Sequence, residues 1–348
     1  MNIRAAGRLL QSSASLEIIL GPICKAFRGV RAAAVALLLV AGSVTVHAQS
    51  WPTRPVKVFV PYPAGGTIDP VVRFLVQRLQ TKLGQPFIVE NRPGAAAIVG
   101  AQALLLEPRD GHALFTPGPS PTTWKAFNKD APVDLKRDLE PITQVFVSPY
   151  LIVTNASVPA KTLPEFIAYA RANPGKLNYG SANGGSIMLD TEWFKKLTGT
   201  DIVHVPYKGG ADMRPALLDN QIQLLLDNSS FHIENAKLGK LRILAVVARQ
   251  RMAGLPEVPT AEEAGLKGFV ASSWTGLFVA TGTRKAVVDN IYNQFHEAMA
   301  SSEFKEFLNR VGPGNYATEM PPAEFARFLD QMARTYEDLV TTAGVKVN

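Results

Sequence analysis

Three times along this 348-residue chain a short apolar strand runs into a glycine-pair loop and then into a helix. The first copy is Val56–Val60, the loop Pro61-Tyr62-Pro63-Ala64-Gly65-Gly66-Thr67-Ile68-Asp69-Pro70, and then Val72, Leu75, Val76, Leu79 and Leu83 at helical spacing, with Gly84 as a stop. The second is Leu177–Ser181, the loop Ala182-Asn183-Gly184-Gly185-Ser186 and a helix to about Leu197. The third is Ile202–Pro206, the loop Tyr207-Lys208-Gly209-Gly210 and a helix from Ala211 to Leu218. Strands alternating with helices imply an α/β fold with mainly parallel sheets flanked by helices. In such sheets ligands bind beyond the C-terminal ends of the strands. A fourth loop at such an end, Asp227-Asn228-Ser229-Ser230, follows Ile222–Leu226. One of these loops lies early in the chain and three lie late, which describes a cleft between two lobes.

Gly65 and Gly66 have no Cβ, so the backbone there can turn and expose N–H groups beside a helix N-terminus. Such groups attract anions, helped by the helix dipole. Asp69 stands where the N-cap is expected and Pro70 suits the first helical position. A tight turn before a capped helix accounts for the same residues, and the local pattern leaves both readings open.

The remaining elements follow from periodicity. Pro86–Glu90 reads as a strand, the Ala-rich run Ala95–Leu106 as a helix and Ala113–Thr116 as a strand. Residues 117–141 read as a long loop with little regular structure. Tyr150–Val153 is a strand that enters the second lobe, and Thr162 caps a helix to about Ala172. Arg242–Val247 is another strand. Ala271–Ala280 carries the chain back to the first lobe, where Ala286–Met299 and Ala323–Leu339 form covering helices. The expected division is residues 49–149 with 271–348 as lobe 1, and 150–270 as lobe 2.

Residues 1–48 read as a cleavable secretory signal peptide. Arg28 and Arg31 precede the apolar run Ala32–Ala41, and Val46-His47-Ala48 offers small residues at a cleavage site. Export to the periplasm is therefore expected. This leader holds five basic residues and one acid, leaving 31 basic and 28 acidic residues, a net charge of +3. Nothing in that balance suggests nucleic acid. The only cysteine, Cys24, leaves with the leader. Without disulfides the chain needs a large core, and its 47% hydrophobic composition can supply one.

Enzymatic chemistry finds little support. His112, His204, His232 and His296 form no metal-spaced pair. Ser181, His204 and Asp227 make a triad only on paper, because no Gly-x-Ser-x-Gly elbow is present and His204 lies inside an apolar run. No phosphate-binding loop and no dinucleotide fingerprint appear. No cofactor or metal is expected.

Several motifs together resemble one family. Trp51-Pro52-Thr53-Arg54-Pro55, the Pro61–Asp69 loop, Glu90-Asn91-Arg92-Pro93-Gly94 and Val205-Pro206-Tyr207-Lys208-Gly209 match the periplasmic receptors of tripartite tricarboxylate transporters, the Bug family. Pro256-Glu257-Val258-Pro259-Thr260, Glu263-Ala264-Gly265 and Trp274 with Gly276-Leu277 match as well. The resemblance spans essentially residues 51–348. It implies a two-lobed Venus-flytrap fold that closes on a small organic acid, held largely by backbone N–H groups, hydroxyls and bridging water. The implied partners are a large and a small membrane transporter subunit, or a sensor protein, with the receptor a monomer. Carried onto this chain, the implied contacts are Tyr62, Gly65, Gly66, Thr67 and Asp69 from lobe 1. From lobe 2 they are Ser181, Asn183, Ser186, Tyr207, Lys208, Gly209 and Asp227. Ala95-Ala96-Ala97 departs from a more Gly-rich family run. Met188 stands where many relatives carry His, which favours a ligand with an apolar body.

Each of these residues also has a plainer role. Asp69 can cap a helix, Lys208 can be a solvated lysine, and Asp227, which could accept a hydrogen bond from a ligand or from Lys208, can instead sit in a structural salt bridge. Ser181 and Ser186 can serve a helix start, and Trp274 can pack between the lobes. Two rival functions remain, a receptor that signals without uptake and a periplasmic hydrolase.

Overall fold

A 17-residue strand, β4 (Leu139–Asn155), runs through the middle of the molecule and takes part in both of its sheets. The computed structural model describes residues 51–341 apart from 229, 313 and 319. The expected leader, residues 1–48, lies outside the described residues. Before β4 come β1 (Val56–Val60), β2 (Phe87–Asn91) and β3 (Ala113–Phe115). After it come β5 (Leu177–Ser181), β6 (Ile202–Pro206), β7 (Leu224–Asp227), β8 (Leu241–Val247), β9 (Ser272–Ala280) and the two-residue β10 (Tyr316–Ala317). The helices of eight residues or more are α1 (Ile68–Leu83), α2 (Ile98–Leu105), α3 (Leu163–Ala172), α4 (Ser186–Thr198) and α5 (Gly210–Leu218). They continue as α6 (Ser230–Lys237), α7 (Lys285–Ala300), α8 (Ser302–Val311) and α9 (Pro322–Thr341).

The strand order is β2-β1-β3-β9-β4-β7-β5-β6, with β8 and β10 also pairing with β4. β1 is parallel to β2 and β3, and β5 is parallel to β6 and β7. The strands that cross between the halves run antiparallel: β4 pairs with β9 from Leu139 to Pro149, then with β8 from Tyr150 to Asn155. One strand enters the second half and one returns, so opposite directions follow from the connectivity.

Alternation along the strands builds two cores in each half. Val56, Val58 and Val60 of β1 face α1, whose Val71, Val72, Leu75, Val76 and Leu79 are buried, with Ile291 and Phe295 of α7 behind them. Phe59 points the other way, towards Ala101, Trp274, Phe278 and Phe325. In the second half Tyr150 and Ile152 face Phe166, Tyr179 and Phe194, while Leu151 and Val153 face Met213, Leu217 and Val246. Burying each such aliphatic side chain stabilises the fold by about 1.5–3 kcal/mol. Trp274 belongs to this interior. It is fully buried, with Phe325 and Phe328 edge-on at 5.6 and 5.7 Å, so it packs within the first half and not between the halves.

Three local expectations need correction. Helix α1 begins at Ile68, so Asp69 is in its first turn and does not cap it. Its buried carboxylate instead accepts from Arg73 Nε (3.1 Å) and Asn91 Nδ2 (2.9 Å), near the positive end of the helix dipole. The run Ala95-Ala96-Ala97 is not the start of a helix. All three residues have positive φ (44°, 48° and 77°), and regular helix begins only at Ile98. Trp124 Nε1 donates to Ala96 O at 2.7 Å, so tertiary contact overrides alanine's helical preference. Finally, residues 117–141 are not a loose loop. They form short helical turns at 120–127 and 135–138, and Thr122, Thr123 and Trp124 are buried. Thr162 caps α3 as expected, accepting from Glu165 N. Among the described residues no helix is long and apolar enough to cross a membrane.

Candidate functional site

The N-termini of α1, α4 and α5 converge on one cavity of about 90 Å³ between the two halves. Thr67 and Ile68 line it from α1, Gly185, Ser186 and Ile187 from α4, and Gly209, Gly210 and Ala211 from α5. No side chain caps any of the three helices. The first N–H groups of a helix have no partner within it and carry the positive end of its dipole. Three such ends on one small volume make an anion-binding environment from backbone alone.

The walls add neutral hydroxyls. Tyr62 Oη accepts from Gly118 N at 2.9 Å and bonds to Ser120. Tyr150 lies between Ser186 and Ser273. Burial raises both phenols above their ordinary range, against these hydrogen bonds, so both stay protonated at neutral pH. Ile68, Ile187 and Met213 supply an apolar surface.

Among the described residues the one carboxylate in the lining is Asp227, and it is already neutralised. Burial alone would raise it, but the charge of Arg214 and the hydrogen bond and charge of His232 outweigh burial and hold it well below the usual carboxylate range. Arg214 Nε and His232 Nε2 both meet Asp227 Oδ2 at 2.9 Å, and Asn228 N donates to Oδ1 at 2.8 Å. Asp227 is thus in a structural ion pair whose partner is Arg214, not the exposed Lys208.

The structure brings together Tyr62, Gly66, Thr67, Ser186, Lys208, Gly209 and Asp227 around this cavity. An adjoining chamber of about 360 Å³ shares Tyr62, Ser120, Ala182 and Lys208, and adds Asn183, Tyr207 and the Ala95–Ala97 run. Three expected contacts lie elsewhere. Gly65 is exposed on the loop, and Asp69 is turned to Arg73 and Asn91. Ser181 is fully buried behind the cavity, with its hydroxyl 2.7 Å from His204 Nε2. His204 lies tilted against the Tyr179 ring, with centroids 5.0 Å apart, and Asp227 pairs with His232, so the paper triad does not assemble. Met188 is buried outside the lining, where Ile187 takes the apolar role assigned to it.

Sequence reasoning missed Ser120, Tyr150, Ser273 and Arg214. Arg214 carried a signal: a lone arginine among Met213, Pro215, Ala216 and Leu217 must find a distant acid if that helix is buried. A larger groove of about 750 Å³ lies outside the cleft, and several of its charges are paired among themselves, Lys136 with Asp330 (3.1 Å) and Lys285 with Asp289 (2.7 Å).

Comparison with known proteins places the chain in a family. A family model described as tripartite tricarboxylate transporter family receptor matches residues 71–344. The protein BugT of Bordetella pertussis is 31% identical over 305 residues, which is 87% of this chain and 93% of BugT. The structure of R. palustris Rpa4515 with adipate superimposes with a TM-score of 0.79 at 29% identity, covering 85% of this chain and 99% of that one. MatC of Rhodopseudomonas palustris with bound malate gives 0.78 at 27% identity, covering 83% and 100%. The chain belongs to the tripartite tricarboxylate transporter family receptors, two-lobed periplasmic solute-binding proteins of the Bug type, and is not an enzyme.

Proposed function

We propose that the cleft captures a small organic carboxylate and that the protein delivers it to the large and small membrane subunits of a tripartite tricarboxylate-type transporter. The observation that carries this reading is the convergence of three uncapped helix N-termini on a cavity whose only carboxylate is neutralised. The direct contacts would be Tyr62, Gly66, Ser186, Gly209 and the backbone N–H of Thr67, with Lys208 at the rim. Asp227 would act through Arg214 and Asn228. Adipate and malate in two structural neighbours are both dicarboxylates, which supports an acid as ligand. The lobes would be residues 49–149 with 271–348, and 150–270, hinged on β4 and β9. The protein would act as a monomer, exported by a leader cleaved after residue 48.

Closure is a shift of population, so the ligand must touch both lobes to favour the closed form. Thermal unfolding against a panel of C3–C6 mono-, di- and tricarboxylates tests the proposal. A ligand at 100 times its Kd stabilises by about 2.7 kcal/mol, which shifts the midpoint by a few degrees in a chain of this size. A shift confined to one class of acids supports the proposal. No shift with any acid, on folded and ligand-free protein, overturns it.

A further inference from the structure

Thr67 occupies the N-cap position of α1, where a threonine hydroxyl ordinarily accepts from its own helix. Here it does not. Its Oγ1 donates across the cleft to Asn228 O at 3.1 Å and accepts from the Arg214 guanidinium at 2.8 Å. A second guanidinium nitrogen reaches Gly65 O at 3.5 Å. Both oxygens belong to the loop after β1, whereas Arg214 stands one turn into α5 in the other half. Arg214 is only 8% exposed, and Asp227 holds its Nε at 2.9 Å. Asp227 is itself fixed by His232, whose ring is fully buried, and by Asn228 N.

We propose that Arg214 is a positioning residue that latches the cleft shut, its guanidinium held ready by Asp227 and His232 and engaged by Thr67 and Gly65 only when the halves meet. This rests on the solute-binding reading of the cleft. The arrangement has the features a latch needs. The donor is charged, so each bond it makes is stronger than a neutral one. The side chain is fixed before closure by partners on its own half, so little rotamer freedom is lost when the bonds form. The acceptors are a backbone carbonyl and a hydroxyl, which carry no charge to repel an anionic ligand next to them. The N-terminus of α1 stays free for that ligand because the threonine that would cap it is turned aside.

A latch acts after encounter and therefore slows ligand escape. The test is the binding kinetics of whichever acid stabilises the wild-type protein, measured for Thr67→Val, Arg214→Met and the double variant. Each single change is expected to raise koff about tenfold or more, as for loss of a hydrogen bond to a charged group, with kon within about threefold. The double variant is expected to fall well short of the product of the two single effects, because both changes break the Thr67–Arg214 bond, although each also breaks one the other keeps. Thr67→Val leaves the buried Arg214–Asp227 pair intact, so it remains informative if Arg214→Met does not fold. Fold-changes that multiply in the double variant overturn the latch. So does a loss of binding in Arg214→Met without any in Thr67→Val, which would make Arg214 a direct ligand contact.

Small-angle X-ray scattering of the ligand-free proteins separates the latch from the choice of ligand. Both single variants are expected to show a larger radius of gyration than wild type. An unchanged radius overturns the latch whatever the cleft binds. Expansion in the variants, with no acid binding to wild type, overturns only the carboxylate reading.

Discussion

The Tyr336 hydroxyl of α9 stands 3.5 Å from Asp190 Oδ2 of α4, a polar contact in the interior between a helix of the first half and one of the second. Burial pushes the Asp190 carboxyl up to about 8 from 3.8, and the Tyr336 hydrogen bond only partly opposes this. Asp190 is therefore protonated in the native state at neutral pH. The unfolded chain releases that proton near pH 3.8, so between about pH 4 and pH 8 the native state binds more protons. Stability contributed at this site is complete below pH 3.8 and declines as pH rises, by up to about 1.4 kcal/mol per unit, until about pH 8. Asp190→Asn removes the titration while keeping an acceptor for Tyr336. Urea unfolding is expected to show the variant gaining on wild type from pH 5 to pH 8. A gap that does not widen with pH contradicts the assignment.

Ser181 and His204 form the only hydroxyl–imidazole pair of the abandoned triad, and the pair is structural. Ser181→Ala should destabilise by about 0.5–1.5 kcal/mol, because the His204 ring loses the hydroxyl and keeps only the longer contact to Ser181 O at 3.3 Å. Ligand affinity should stay within about twofold, since Ser181 does not reach the cavity. Calorimetry and urea unfolding on one preparation check both outcomes. A tenfold loss of affinity with unchanged stability would return Ser181 to the ligand.

The left-handed alanines carry strain that glycine would relieve. An L-residue in that region costs about 1–2 kcal/mol, while a glycine raises the entropy of the unfolded chain by about 0.4–1 kcal/mol. Ala96→Gly at φ 48° is thus expected to stabilise by about 0.5 kcal/mol. Ala101→Gly, in the buried face of α2, is expected to destabilise by about 1–2 kcal/mol. Opposite signs in thermal unfolding are the outcome sought. Destabilisation by both would mean that Ala95–Ala97 is not held left-handed.

Gly66 lines the cavity, and a Cβ there would meet only Pro63 O at 3.7 Å, an ordinary contact. The backbone tolerates a side chain, but the ligand space does not. Gly66→Leu should weaken ligand binding at least 30-fold and change stability by no more than about 0.5 kcal/mol. Calorimetry with the acid that binds wild type provides the check. Unchanged affinity would remove this loop from the site.

The elements legible in the sequence were those whose signal is local. Val72, Leu75, Val76 and Leu79 announce α1, Gly84 ends it with φ 69°, and the glycine-pair loops mark the strand ends that carry the cavity. What stayed hidden is set by distant partners. Nothing near Ala96 foretells that Trp124 will hold its carbonyl in a left-handed turn. The sequence offers two cap-type residues, Thr67 and Asp69, and the true boundary is at Thr67, whose hydroxyl goes to the other half. Ser120, Tyr150 and Ser273 come from three separate segments and meet only after β4 and β9 cross the molecule. A salt bridge of Asp227 is among the sequence's open readings, but its partners Arg214 and His232 lie 13 positions before and five after it and carry no local sign of the pairing.

If the cleft recognises negative charge through helix N-termini, an acid binds where its uncharged amide does not. Isothermal titration calorimetry of wild-type protein with the acid from the thermal panel, beside its uncharged amide, asks this directly. The expected result is one site per chain for the acid, with Kd in the micromolar range or tighter, about −8 kcal/mol, and no measurable binding of the amide. Equal affinity for acid and amide would contradict it.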